Sequence, residues 1–278
     1  MVVTGATAGI GKVTAWELAR SGATIVLVGR NSQKAKETVL EIQEDLHGNA
    51  KLDVIIGDLS SLKDILTVAN VFKEKYHRLD VLVNNAGGFF SNRLESVDGY
   101  EMTLAFNHLN YFYLTNLLLD VILQTPKARI VNVSSSAHFG GKANFSDLQR
   151  KKSYLGWRVY ADSKLMNILF TRVLAKKLSG SHVTANSLHP GFVATNFGHG
   201  SGISAWAIKI GQRFLAISPQ AGARTSIFLA TSPVVEGVSG KYFTRCQQRQ
   251  PSMAAMDDKA ANSLWEISED LIQKNGND

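Results

Sequence analysis

Short β-branched runs alternate with amphipathic stretches along most of the chain. TIVLVGR (Thr24–Arg30), LDVIIGDL (Leu52–Leu59), LDVLVNNAG (Leu79–Gly87), RIVNVSS (Arg129–Ser135) and VTANSLHPG (Val183–Gly191) predict strands, and an apolar run, Met1–Val3, opens the chain. Between them Gln33–Leu46 and Leu62–Tyr76 read as amphipathic helices. Hydrophobicity within the strands is continuous rather than alternating, which predicts burial on both faces and hence a parallel sheet covered by helices. Strand and helix repeated this often predict an α/β fold, a doubly wound parallel sheet flanked by helices, with residues 1–278 as a single domain.

Two regions break the rhythm. Ala137–Tyr154 is polar and irregular, and Gly198–Ile217 carries Trp206, Ile208, Ile210, Phe214 and Leu215, with Lys209 and Arg213 among them. Long excursions at strand carboxyl ends are where such folds meet substrate, so 192–217 is read as an apolar substrate lid and 240–278 as a C-terminal strand and tail. The same lid stretch also suits peripheral contact with a membrane surface.

Composition narrows the classes further. Apolar residues make up 45% of the chain and charged residues 19%, the balance of a globular protein. The single cysteine, Cys246, excludes an intramolecular disulfide and a thiolate metal cluster. Seven histidines show no ligand spacing, and no metal is expected. The net charge of +7 comes from scattered Lys and Arg, with Gln149–Lys152 the nearest thing to a run, so nucleic acid is not the expected partner. No apolar run reaches the roughly 18 residues of a membrane span, and no signal peptide precedes the first strand. The expected location is intracellular, soluble or peripherally membrane-associated; the abrupt start leaves an N-terminal anchor or targeting segment open.

The first turn carries the first chemistry. In TGATAGIG (Thr4–Gly11) a strand, a turn and a helix follow one another. There Gly5 would permit the tight turn, Gly9 a close approach by pyrophosphate, and Gly11 close packing of helix on sheet. The spacing is G-x-x-x-G-x-G rather than the commoner G-x-G-x-x-G, and a tight turn without a ligand would read the same way. The second strand ends in VGRN, placing Arg30 where an acidic residue would meet the ribose hydroxyls of NAD; an Arg there favours the 2′-phosphate of NADP.

YADSK sets Tyr160 and Lys164 four residues apart, on one face of a helix running to about Leu178. An ammonium beside a phenol stabilises phenolate, which would lower the tyrosine pKa and suit Tyr160 to general acid/base work. The serines of VNVSSSAH end a strand at the same sheet edge as the glycine turn, where a hydroxyl would meet a carbonyl oxygen.

TGATAGIG, GDL (Gly57–Leu59), NNAG (Asn84–Gly87), FNHL (Phe106–Leu109), VSS, YADSK and HPG (His189–Gly191) stand in an order that resembles the short-chain dehydrogenase/reductase family. RIVNVSSSAH, NFSDLQ, SKLMNILFTRVLAKKL, HPGFVATN and the tail SGKYFTRC…SLWEISEDL are similar to its retinol dehydrogenase branch, and the likeness runs nearly end to end. The resemblance implies a Rossmann-type fold and a tetrad of Asn107, Ser135, Tyr160 and Lys164. Tyr160 would move the proton, Ser135 polarise the substrate oxygen, Lys164 bond the nicotinamide ribose, and Asn107 hold a water. Ser135 is the middle of three serines, between Ser134 and Ser136. For the cofactor it implies Gly5, Thr7, Gly9, Ile10 and Gly11 at the phosphates, Arg30 at the 2′-phosphate, and Asp58 and Leu59 at the adenine. Asn85, Ala86 and Gly87 would line the ribose path, with Tyr160 and Lys164 at its end. Pro190, Gly191, Val193 and Thr195 would face the carboxamide. Asn84 reads as a residue tying strands together.

The resulting expectation is an NADP(H)-dependent oxidoreductase interconverting a lipophilic, retinoid-like aldehyde or ketone and its alcohol. An NAD-dependent alcohol dehydrogenase of the same fold and a non-catalytic dinucleotide-binding scaffold are the alternatives. The resemblance also implies a possible homodimer through the helices bearing Asn107 and Tyr160.

Overall fold

The computed structural model describes residues 1–191 and 218–275. Eight strands form one sheet in the order β3-β2-β1-β4-β5-β6-β7-β8. They are β1 (Val2–Thr4), β2 (Thr24–Gly29), β3 (Lys51–Ile56), β4 (Val81–Asn84), β5 (Arg129–Val133), β6 (Thr184–His189), β7 (Tyr242–Thr244) and β8 (Gln247–Arg249). All neighbours pair in parallel except β7 and β8, which are antiparallel. The order reverses beside β1, and a crevice opens at the carboxyl ends of β1 and β4, where folds of this class bind their ligands.

The unbroken apolar character of the strands follows from two cores. Val2, Val26, Val28, Leu82 and Ile130 face one side, and Val3, Ile25, Leu27, Val83 and Val131 the other, as the two-residue period of a strand requires. The second core is closed by α1 (Gly9–Arg20), α2 (Ser32–Asp45) and α8 (Pro219–Thr231). The first is closed by α3 (Leu62–Lys75), the short α4 (Met102–Leu104), α5 (Asn110–Leu117), α6 (Leu119–Gln124), α7 (Gly156–Lys177) and α9 (Asp258–Asn275).

Every predicted strand overran the observed one at its carboxyl end. The surplus residues are Arg30, Gly57–Leu59, Asn85–Gly87, Ser134–Ser135 and Pro190–Gly191, which follow the last paired residue of each strand, although Gly57 and Ser134 still donate their N–H groups to the neighbouring strand. The region read as a strand and tail, 240–278, differs more. Two strands meet there at a hairpin whose turn residues, Arg245 and Cys246, both have positive φ (50° and 59°), and most of the tail is helix α9. Ala261, Leu264, Trp265 and Ser268 bury one stripe of that helix against α7 and α5, and Trp265 lies 4.9 Å from Phe112 and 5.8 Å from Phe170 between ring centroids. Phe112 of α5 and Phe170 of α7 therefore lie under α9. No helix among the described residues is long and apolar enough to cross a membrane.

Candidate active site

The glycine turn sits where β1 leaves the sheet. Gly5 adopts φ +65°, and a Cβ built on it would stand 3.0 Å from the Ala86 backbone. Gly11 is tighter: its Cβ would lie 2.3 Å from the Gly5 carbonyl oxygen and 2.4 Å from Asn85 Nδ2. No side chain larger than hydrogen fits there. Thr4, which the sequence reading passed over, pins the two strand ends together. Its Oγ1 accepts the Asn85 and Ala86 N–H groups at 2.9 and 3.0 Å, and its carbonyl accepts Asn85 Nδ2 at 2.8 Å. Asn85 thus braces the floor of the turn rather than projecting from it. Asn84 ties strands as read, donating to Asn132 Oδ1 and Thr115 Oγ1, each at 2.9 Å.

Asn31 and Ser61 cap α2 and α3 with their side chains, whereas Ala8, the N-cap of α1, cannot. The first turn of α1, Gly9–Gly11, has no side-chain acceptor at its N-cap, and free N–H groups at a helix start fit the pyrophosphate of a dinucleotide. At the rim beyond β2, Arg30 is 69% exposed and reaches Asp58 Oδ2 only at 4.0 Å. Asp58 also accepts Ser60 N–H and Oγ–H at 2.9 and 2.7 Å, and Leu59 is buried. A loosely held guanidinium there fits an added phosphate. Pro190 and Gly191 follow the last residue of β6, while Val193, Thr195 and the whole lid stretch 192–217 lie outside the described residues.

On the other side of the crevice the three serines separate by direction. Ser134 is buried and its Oγ donates to the Lys164 carbonyl at 2.6 Å. Ser136 is exposed. Ser135 Oγ accepts the Ala137 N–H at 3.1 Å, and the same side chain hydrogen-bonds Tyr160. Tyr160 and Lys164 rise from one face of α7, with Lys164 Nζ 5.6 Å from the Tyr160 ring centroid and 3.3 Å from the Val133 carbonyl, to which it donates.

Asn107 arrives by a different device. Residues Ala105–Leu109 form a π turn, closed by Asn110 N–H on the Ala105 carbonyl. This widened turn joins α4 to α5 and holds Asn107 fully buried. Its Oδ1 accepts Gly88 N–H at 2.8 Å, and its Nδ2 donates to the Gly88 carbonyl at 2.9 Å and Ser163 Oγ at 3.0 Å. Lys164 is close by: a Cβ on Gly87 would lie 3.0 Å from Asn107 Oδ1 and 3.3 Å from Lys164 Nζ. The side chain of Asn107 is bound to protein at both donor positions, leaving only a lone pair of Oδ1 for a water.

Burial dominates the electrostatics. It pushes the Lys164 ammonium down to about 7. It also drives the Tyr160 phenol well up, offset in part by the Ser135 hydrogen bond. The expected lowering of the tyrosine pKa by its lysine is therefore not what the protein chain alone provides, because desolvation disfavours both charged forms. The phenol is held protonated at neutral pH, in the form that donates. Its surroundings are aromatic: Phe89 stands edge-on at 6.1 Å and Trp157, 59% exposed, at 6.0 Å between ring centroids. Neither ring was singled out in the sequence, where an isolated Trp or Phe carries no positional signal.

The irregular stretch after Ser135 is tied down by buried carboxylates. Asp162 of α7 accepts the Lys142 N–H at 2.6 Å and pairs with Arg150, whose side chain is 10% exposed against 1% for Asp162. Glu101, wholly buried, caps α4 through Thr103 and Leu104 N–H groups and meets the Tyr154 hydroxyl at 3.3 Å.

This arrangement is that of known proteins. The model of the short chain dehydrogenase family matches residues 1–203. Retinol dehydrogenase 14 of Mus musculus is 41% identical over 98% of this chain and 85% of its own length. Retinol dehydrogenase 11 of Homo sapiens is 41% identical over the same shares of the two chains. Among solved structures, a putative uncharacterized protein from Mycobacterium Paratuberculosis superposes with a TM-score of 0.79 at 32% identity, covering 98% of this chain and 92% of its own. Actinorhodin polyketide ketoreductase with NADPH gives 0.66 at 25% identity, over 87% of this chain and 93% of its own. With its sheet, its glycine turn and its relatives in agreement, the chain belongs to the short-chain dehydrogenase/reductase family of oxidoreductases and is retinol dehydrogenase-like within it.

Proposed function

We propose that the chain is an NADP(H)-dependent oxidoreductase that interconverts a lipophilic, retinoid-like aldehyde or ketone and its alcohol. The observation that carries this reading is the convergence of Ser135 and Lys164 on the Tyr160 phenol, across the crevice from the glycine turn. A bound nicotinamide supplies the hydride. Tyr160, held protonated by burial, donates its proton to the substrate oxygen in reduction and takes it back in oxidation. Ser135 hydrogen-bonds the same oxygen and orients it. Lys164, beside the Tyr160 ring, would bond the nicotinamide ribose when the cofactor is bound, and Asn107 fixes the backbone at Gly88 close by.

Arg30 supports NADP over NAD, since the end of β2 offers a guanidinium and no carboxylate of its own. Two structural neighbours, the ketoreductase above and RhlG of Pseudomonas aeruginosa, were solved with NADPH and NADP respectively. Phe89 and Trp157 around the phenol support an apolar substrate. The test is NADPH oxidation followed by absorbance with all-trans-retinal, short aldehydes and steroid ketones, repeated with NADH. Turnover of the lipophilic carbonyls with NADPH is expected; no hydride transfer to any of them would overturn the reading.

A further inference from the structure

His138 is fully buried three residues past Ser135. Its Nδ1 lies 2.6 Å from the Ser135 carbonyl oxygen, which can only accept, so Nδ1 carries the ring proton. Nε2 lies 3.1 Å from the Ser252 backbone nitrogen and accepts that N–H. One neutral tautomer satisfies both bonds, and Tyr242 of β7 packs edge-on against the ring with centroids 4.9 Å apart. The imidazole therefore joins the Ser135 loop to the segment between β8 and α9. Ser252 in turn opens a short 3-10 turn, Met253–Met256, and its Oγ accepts the Ala255 N–H at 3.3 Å.

We infer that His138 is a positioning residue for Ser135, and that through it the C-terminal segment Gln250–Met256 sets the geometry of the Ser135 hydroxyl. The inference rests on the role proposed for Ser135 above. Ser135 Oγ has its place fixed by the peptide plane that carries the bonded carbonyl and by the Ala137 N–H. Two donors on that carbonyl hold the plane, the buried His138 ring N–H at 2.6 Å and the longer His138 backbone N–H at 3.2 Å. Displacements of about 1 Å at a reacting group are enough to slow a reaction by about a hundredfold.

Ser252 offers a clean test, because its φ of −61° is the value proline imposes. Ser252→Pro removes the N–H that bonds Nε2, and Ser252→Ala removes only the hydroxyl on Ala255. With NADPH and a carbonyl substrate, kcat of Ser252→Pro is expected about three- to tenfold below that of Ser252→Ala, the effect of one hydrogen bond, with KM for NADPH alike in the two. Equal kcat values, or a parallel loss in cofactor KM, would overturn the inference. Imidazole nitrogen NMR of the cofactor-free wild type reads the link without turnover. The Nδ1–H tautomer is expected at His138, with its Nε2 resonance shifted in Ser252→Pro but not in Ser252→Ala. An Nε2–H tautomer would overturn it. A wild type that shows the Nδ1–H signature yet transfers no hydride would fail the oxidoreductase reading instead, leaving the hydrogen-bonded link standing.

Discussion

Ser134 and Ser135 are adjacent in the chain and face opposite ways: the first donates to the Lys164 carbonyl inside the core, and the second bonds the Tyr160 side chain in the crevice. This division separates a structural from a chemical hydroxyl. Ser135→Ala is expected to lower kcat about a hundredfold, the usual effect of removing one oxyanion donor. Ser134→Ala is expected to cost about 1–2 kcal/mol of stability, for a buried hydrogen bond lost, with kcat within about threefold of wild type. Steady-state kinetics and urea denaturation of the pair check this; the reverse pattern would move the reacting serine by one position.

Arg30 is the cofactor selector in this account. Replacing it with Ala removes charge-assisted hydrogen bonds to a 2′-phosphate, each worth about 1.5–3 kcal/mol, so KM for NADPH is expected to rise about tenfold or more. KM for NADH should stay nearly constant. Equal changes for both cofactors would place the guanidinium outside the phosphate site.

Lys164 makes a prediction about stability. Its folded-state value of about 7 lies below the ordinary 10.5, so the unfolded chain binds more protons between those limits. Stability therefore rises with pH across that window: the cost of burying the ammonium is full below about 7 and fades toward 10.5. Lys164→Met removes that cost. Thermal denaturation should show the variant more stable than wild type at pH 6, with the two converging by about pH 10. A constant difference across the range would mean that the lysine is not buried against its charge.

The Arg150–Asp162 pair clasps the excursion after Ser135 onto α7. Arg150→Ala leaves Asp162 buried without its cation, and a loss of about 3–5 kcal/mol is expected in urea denaturation. A loss under about 1 kcal/mol, the value of an exposed pair, would show that water replaces the guanidinium freely.

Much of the sheet was legible because the strands are buried on both faces, and continuous runs such as IVLV and VLVN have no other economical placement. The strand ends were not. Arg30, Asn85 and Ser135 are polar residues beyond the apolar runs, yet polarity alone does not fix the residue at which each chain segment leaves the sheet. The hairpin at Arg245–Cys246 uses two positive-φ residues without the Asn-Gly or Asp-Gly pair that would announce it. Helix α9 carries a readable signal, since Ala261, Leu264, Trp265 and Leu271 recur at helical spacing, and within that stripe the Ser268 hydroxyl meets His108 Nε2 at 2.8 Å. The π turn at Asn107 and the His138 bridge depend on contacts across 19 to 114 residues, which no local pattern encodes. By contrast, Tyr160 and Lys164 stand together because helical spacing alone places them so.

The most direct measurement follows deuteride from 4-deuterated NADPH to a lipophilic aldehyde in a single turnover, with wild type and Tyr160→Phe side by side. Label is expected at the carbonyl carbon with wild type. The Phe variant should bind NADPH as tightly by fluorescence yet transfer label about 10²–10⁴ times more slowly, the range of general acid catalysis. Transfer by the variant at the wild-type rate, or none by the wild type, would contradict the account.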